Sequence, residues 1–207
     1  QVASGQLSLT DAQSAIAARM QAQVTPDLTG VEVTMDLDRE QRCGFPEVIY
    51  GENKDAATIV DILRTQYAVG QLSLVTRVSD AKGQHVVECL PHMLFNAKSR
   101  TLRSVAVPEE KLNGNITIVT AGTSDLPVAE EARETLLWMG AEPQIIHDIG
   151  VAGPQRLLDH RGQLRAADVL IVVAGMEGAL PSVIGGHVDS PIIAGPTSVG
   201  YGTAFDG

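Results

Sequence analysis

From residue 116 onward the apolar positions alternate between two periods. Ile116–Thr120 is a β-branched run, and Val169–Ala174 is a continuous apolar run of the kind expected for a strand buried on both faces. Pro143–Asp148 and Ile192–Ala194 are shorter runs of the same type. Between them lie helical patterns: Pro127–Gly140, ended by Gly140, then Gly153–Ala166, weakened by Gly162, and a helix opening over Leu180–Gly186 after Pro181. Strands alternating with helices predict an α/β domain built on a parallel, doubly wound sheet with right-handed crossovers.

The first half is less regular. A helix is predicted over 9–23, capped by Thr10 or Asp11, with Ala12, Ile16, Ala17 and Met20 on one face. A polar break with Pro26 and Gly30 follows, and Val31–Leu37 reads as a short strand or an extended arm. Val48–Tyr50 reads as a strand between Pro46 and Gly51, and Asp55–Gln66 as a helix with Ile59, Ile62 and Leu63 on its face. Strands are further expected at Leu72–Val78, Val86–Glu88, His92–Lys98 and Leu102–Val107. The result is a smaller α+β domain over 1–110, followed by the α/β domain over 111–207, with the boundary near Pro108–Gly114.

Composition narrows the function. A net charge of −10 and only 3% aromatic residues, with Trp138 the single tryptophan, argue against binding nucleic acid. Cys43 and Cys89 are too far apart for a zinc or redox motif, so no metal site is expected. No apolar run reaches the length of a membrane span and no signal peptide is visible, so the expectation is a cytoplasmic protein without membrane contact. The start at Gln1 and the glycine-rich finish at Gly207 read as trimmed ends.

In an open parallel sheet, ligands bind beyond the carboxyl ends of the strands. The loops expected there are 121–125, 148–153, 174–181 and 195–203, all glycine-rich. In the first, Gly122, Thr123, Ser124 and Asp125 join a strand to a helix N-terminus. That junction suits a phosphate, or is a plain turn capped by Ser124 or Asp125. In the second, Asp148 suits ribose hydroxyls, Gly150 a close backbone approach, and Arg156 a phosphate or carboxylate. The alternative for Arg156 is a solvated helix residue. The third, Gly175, Met176, Glu177, Gly178 and Ala179, sets a carboxylate between glycines. Glu177 is either a general base, if desolvated, or a solvated loop residue. The fourth, Gly195–Gly202, with Pro196 and Thr197 as its binding candidates, offers further backbone amides and hydroxyls, or is a flexible loop before a missing helix. His147 reads as a packing residue and His187 as structural. The ribbon of Arg39, Arg42, Glu47, Glu52 and Lys54 is a solvated surface or a flap over substrate.

These four loops, in this order, resemble those of PurE, the enzymes that move CO2 onto aminoimidazole ribonucleotide. The closer resemblance is to the LarB family, which carboxylates and hydrolyses a dinucleotide at the start of nickel-pincer nucleotide synthesis. It rests on Arg42–Lys54, Thr120–Ala132, Gly150–Gly153 and Val173–Val183, and covers nearly the whole chain. The resemblance implies a three-layer PurE-like domain that assembles into octamers. It implies nicotinic acid adenine dinucleotide, or a similar NAD- or AMP-like ligand, as the bound partner. It further implies carboxylation of the pyridinium ring at C5 and release of AMP, giving pyridinium-3,5-biscarboxylic acid mononucleotide. CO2 or bicarbonate is the co-substrate. No tightly bound cofactor is implied, and the use of Mg2+ is left open. Glu177 is then the base, and Ser124 and Asp125 contact the phosphate-ribose portion. The family's nucleophilic cysteine falls downstream of the last Gly-Tyr-Gly loop, beyond Gly207. Cys43, read as a flap residue, and Cys89, read as a core strand residue, do not correspond to it. Pro154-Gln155-Arg156 departs from the family's Leu-His-Arg but keeps the arginine.

Overall fold

A computed structural model describes residues 34–109 and 111–200, with the isolated positions Ser8, Thr10 and Gln13. The predicted helix over 9–23, the break at 24–30, the start of the arm at 31–33 and the phrase after residue 200 lie outside the described residues, those isolated positions apart.

The first half folds as a mixed four-stranded sheet. Its strands are β1 (Ile49–Tyr50), β2 (Leu74–Thr76), β3 (Met93–Asn96) and β4 (Thr101–Ser104), in the order β1-β2-β4-β3. β1 and β2 run parallel, and β4 pairs antiparallel with both β2 and β3. Ahead of the sheet lies the short α1 (Arg39–Cys43), closed by left-handed Gly44. Two helices, α2 (Ala56–Ala68) and α3 (Asp80–Cys89), cross over between strands. Helix α2 starts where Asp55 accepts the Thr58 N–H at 2.7 Å, a side-chain cap for an otherwise unpaired donor. Its Ile59, Ile62 and Leu63 stripe, legible in the sequence, packs with Val75, Val86, Met93 and Leu102 into one core.

One of the two readings of Val31–Leu37 drops out, and one expected strand is a helix. Residues 34–37 form no strand, which leaves the arm. Val86–Glu88 is no strand either, but the last part of α3, and Cys89 ends that helix exposed rather than sitting in a core strand. Two β-branched residues, Val86 and Val87, suggested a strand. Gly83 is a packing position: a Cβ there would lie 2.4 Å from Phe95 Cδ2. The aromatic ring takes the space, which lets α3 lie flat on β3 and bury Val86.

The second half is a four-stranded, all-parallel sheet. Its members are β5 (Ile116–Thr120), β6 (Gln144–Ile146), β7 (Val169–Ala174) and β8 (Ile192–Pro196), in the order β6-β5-β7-β8. On one face Ile118 and Val173 pack with Ala129 of α4 (Leu126–Trp138). On the other, Val119, Leu170 and Val172 pack with Leu157 of α5 (Pro154–Asp159), Leu164 of α6 (Arg161–Arg165), and Leu180 and Ile184 of α7 (Ala179–Gly185). Helices on both faces make the three-layer arrangement expected of a parallel sheet. The single helix predicted over 153–166 is two, breaking at His160. The His160 N–H reaches back to the Leu157 carbonyl, a tighter turn that brings both Leu157 and Leu164 onto the buried face.

Helix α4 also joins the two halves. Glu134, buried in its middle, accepts Arg103 Nε at 2.5 Å and Asn96 Nδ2 at 2.9 Å from the first sheet. Arg133 approaches the same carboxylate, and Lys98 and Arg133 flank Glu130 one turn earlier. Phe45 meets Trp138 edge-on at the far end of the helix, 6.3 Å between ring centroids.

Removing one partner of such a buried group leaves its fellows desolvated and unpaired. Glu134→Ala should therefore cost roughly 3 kcal/mol of unfolding free energy in denaturant titration, and Glu134→Gln, which can still accept, distinctly less. The hydrogen bond from the Thr58 amide, with smaller effects around it, holds the Asp55 carboxyl below its ordinary range. Its contribution to α2 is thus present above that range and lost as pH falls through the depressed value. Asp55→Asn should remove this part of the acid dependence of stability, measured as the unfolding midpoint against pH.

Candidate functional site

The carboxyl ends of β5, β6, β7 and β8 are tied to one another before any ligand is considered. Asp125, in the single 3₁₀ turn (Thr123–Asp125) ahead of α4, is 4% exposed. Its Oδ2 accepts the Gly122 N–H at 2.9 Å, and its Oδ1 accepts the Thr197 hydroxyl at 2.8 Å. One carboxylate thus shapes the first loop and clamps it to the fourth. Thr120 holds the second loop, its hydroxyl accepting the Asp148 N–H at 3.2 Å and its carbonyl the Ile149 N–H at 3.1 Å. The third and fourth loops meet where the Met176 N–H donates to the Val199 carbonyl at 2.6 Å. Two glycines allow these approaches. A Cβ on Gly175 would sit 2.1 Å from the Val199 carbonyl oxygen, and one on Gly150 would sit 2.8 Å from that of Ala121.

The loops enclose a cavity of about 240 Å³. Of the residues singled out from sequence, Gly122, Ser124, Asp125, Gly150, Arg156, Gly175, Met176, Glu177 and Ala179 line it. The remaining five stand next to it in supporting positions. Thr123 opens the 3₁₀ turn and is exposed. Asp148 pairs with Arg156 at 2.6 Å. Gly178, left-handed at φ 66°, caps the start of α7. Pro196 ends β8, and Thr197 serves Asp125. Sequence reasoning missed the apolar part of the wall, Val151, Ala152, Leu180 and Val199. Their only signal was membership of the loops or of the helix that follows one of them.

The electrostatics are those of an anion site with a carboxylate at its rim. The N-terminal ends of α4 and α7 meet the wall at Ser124–Asp125 and Ala179–Leu180, where helix dipoles and unpaired amides favour negative charge. Arg156 adds the wall's guanidinium. It lies across Gly153, where a Cβ would come within 2.5 Å of its Nε, and its pair with Asp148 is half exposed. Such a solvated pair is weak, and it leaves Arg156 free to exchange partners. Asp148 and Met176 both hold left-handed backbone at φ 58°, a strain common beside ligand sites. Glu177 is exposed at the rim of the cavity.

Other candidates lie elsewhere. Neither Cys43 nor Cys89 lines this cavity, and both are exposed. His147 and His187 are also outside its wall. Within one chain the charged ribbon does not cover the cavity: Arg42 pairs with Asp36, and Arg39 stacks over Phe45 at 5.2 Å. A larger hollow of about 530 Å³ lies between Phe45, Leu112 and Trp138 at the junction of the halves, but its charged lining is limited to Glu40 and Glu109. Size favours that hollow; convergence of loops, helix ends and an arginine favours the smaller one, which is the candidate site. Among the described residues no group of three His, Cys, Asp or Glu could hold a metal, and no helix is long and apolar enough to cross a membrane.

Residues 27–106 match the LarB/PurE-like N-terminal domain, and residues 115–206 match AIR carboxylase. An uncharacterized protein of Methanocaldococcus jannaschii is 39% identical over 183 residues, spanning 81% of this chain and 69% of its own length.

The clamp predicts a specific defect. Thr197→Val keeps the shape but strands Asp125 Oδ1, and should cost about 1–3 kcal/mol of stability. It should also weaken binding of a phosphate-bearing ligand by loosening the first loop, read by calorimetry on the same samples; Thr197→Ser should restore both.

Proposed function

The chain belongs to the LarB family of carboxylase-type enzymes, and from that premise we propose that it carboxylates the pyridinium ring of nicotinic acid adenine dinucleotide at C5 and hydrolyses its phosphoanhydride. The products are AMP and pyridinium-3,5-biscarboxylic acid mononucleotide, a precursor for nickel-pincer nucleotide synthesis. The observation that carries the reading is the convergence of Ser124, Arg156 and Glu177 in the wall of a single cavity between two helix N-termini. Phosphate-binding groups and a carboxylate base are what this reaction needs within reach of one molecule.

A cavity of about 240 Å³ lies below the roughly 300–1,000 Å³ of ordinary small-molecule sites. It accommodates the nicotinate mononucleotide half, with the adenylate half extending past the rim. Ser124 and the amides around the 3₁₀ turn hold phosphate oxygens, and Arg156 leaves Asp148 to join them. Asp125 contributes by holding the loop, since both its oxygens already accept internal hydrogen bonds.

A pyridinium ring is electron-poor and does not attack CO2. A thiolate that adds to the ring converts it into a dihydropyridine whose C5 is nucleophilic. C5 then forms its bond to CO2, Glu177 takes the C5 proton, and the thiolate departs as the ring regains aromaticity. Cys43 and Cys89 lie outside the cavity wall, so the thiolate is assigned to the segment that follows Gly207 in the family pattern. Water hydrolyses the anhydride in a separate step. In this reading the PurE-like domains assemble into octamers. A neighbouring copy, or the bound ring itself, provides the burial that Glu177 lacks in one chain. The domain change falls at 108–114.

The test is turnover of nicotinic acid adenine dinucleotide by the full-length protein with bicarbonate, following AMP and the biscarboxylate by mass spectrometry. Glu177→Gln should lower carboxylation on the order of 10²–10⁴-fold while dinucleotide affinity stays near wild type. Unchanged turnover removes Glu177 from the base role. Carboxylation of an aminoimidazole ribonucleotide, with none of the dinucleotide, replaces the substrate. Tight binding without AMP release makes the protein a nucleotide-binding one.

A further inference from the structure

The first domain carries two exposed arginines, Arg77 and Arg100, far from the glycine loops in sequence. Because β1 and β2 run parallel, with Tyr50 opposite Thr76, their carboxyl ends open on the same side. Arg77 follows β2 directly and Arg100 precedes β4 directly. The Val78 N–H donates to the Arg100 carbonyl at 2.8 Å, which sets the two arginines next to each other. Tyr50 ends β1 opposite Thr76, the residue that precedes Arg77, which brings the phenol's strand alongside the two arginine turns. Lys82 reaches over from the first turn of α3, its Nζ donating to the carbonyls of Gly51 at 3.2 Å and Glu52 at 2.7 Å. The turn it closes can form because Gly51 has no Cβ, which would lie 2.9 Å from the Thr76 carbonyl oxygen.

Two features separate this cluster from an ordinary solvated surface. Arg77 and Arg100 are both in the left-handed region, at φ 58° and 57°, a conformation disfavoured for residues with a Cβ. A turn under selection for stability alone would carry glycine or asparagine at these positions. Second, the chain has 25 acidic residues against 15 Lys and Arg, yet among the described residues neither arginine enters an ion pair. The acidic neighbour Glu52 is instead hydrogen-bonded to Tyr50. Strained backbone thus holds two exposed arginines in adjoining turns, next to the strand that ends in Tyr50 and to the positive end of α3, whose N-cap Ser79 makes no side-chain cap bond.

We propose that Arg77 and Arg100, with Tyr50, form a second anion site, in the first domain, that takes a phosphate group such as that of a nucleoside monophosphate. Two guanidinium forks can donate in parallel to phosphate oxygens, and the phenol can donate a third hydrogen bond once Glu52 releases it. The site opens toward the end of the molecule that holds the glycine cavity. The β3–β4 turn just before Arg100 is anchored through Asn96 and Lys98 to Glu130, one turn from the start of α4. The proposal does not depend on the reaction assigned to the cavity.

Isothermal titration of the full-length protein with AMP, inorganic phosphate and adenosine, at constant ionic strength, tests it. The variants are Arg156→Gln, which weakens the glycine cavity, and the double change Arg77→Gly with Arg100→Gly. Glycine suits the left-handed backbone, so the double variant should fold and melt at or above the wild-type temperature. In the Arg156→Gln background AMP and phosphate should still bind and adenosine should not. Adding the glycine pair should weaken that binding roughly tenfold or more. The proposal is overturned if the double variant binds phosphate like wild type, if Arg156→Gln alone abolishes all phosphate binding, or if chloride competes equally. AMP binding without phosphate binding would also overturn it, since the nucleoside would then be the group recognised.

Discussion

The bridge made by the Asp125 carboxylate is the constraint on which the site depends. Four loops that leave a parallel sheet at different strands have no reason to keep a fixed spacing, because loop backbone is solvated and locally cheap to move. A buried charge changes that. Once Asp125 is taken from water, it has to be satisfied, and here it is satisfied by one donor in its own loop and another 72 residues away. Opening the first loop from the fourth would expose the cost of that desolvated carboxylate. The same bridge consumes both its oxygens, so the residue that looked in the sequence like a ligand contact acts mainly as a brace for its neighbours.

A comparable device joins the halves. Glu134 is buried in the middle of α4 and is satisfied from the other domain, by Arg103 and Asn96. Helix α4 therefore transmits position in two directions: its N-terminal end shapes the cavity, and its middle carries the first sheet. This arrangement puts the open ends of both sheets toward the same end of α4. It gives a physical reason for a small α+β domain to precede a carboxylase-type domain in one chain rather than act alone.

Most regular elements were legible in the sequence, and the misses have a common cause. Ile116–Thr120 and Val169–Ala174 were read to the residue because both faces of each strand are buried, so burial alone dictates their composition. The helix at Asp55 was legible from its apolar stripe. The failures came where a distant side chain decided the local structure. Phe95 fills the space above Gly83 and keeps α3 helical through Val86–Glu88, and the buried face of the second sheet breaks the helix at His160. No local pattern encodes either contact. The apolar wall of the cavity was missed for a related reason, since Val151 and Val199 become part of a site only through what folds against them.

The alternation of strands and helices in the second half, the four glycine-rich loops and the family followed from sequence alone, because period, β-branching and glycine placement are local properties. Which of those residues hold the loops together and which are left open to a ligand came only from the tertiary structure. Asp125 and Glu177 are both carboxylates in glycine-rich loops, and nothing local separates them. One is buried against Thr197 and hydrogen-bonded by two donors; the other stands exposed at the rim. Burial and pairing depend on residues far apart in the chain, and only the folded backbone brings those together.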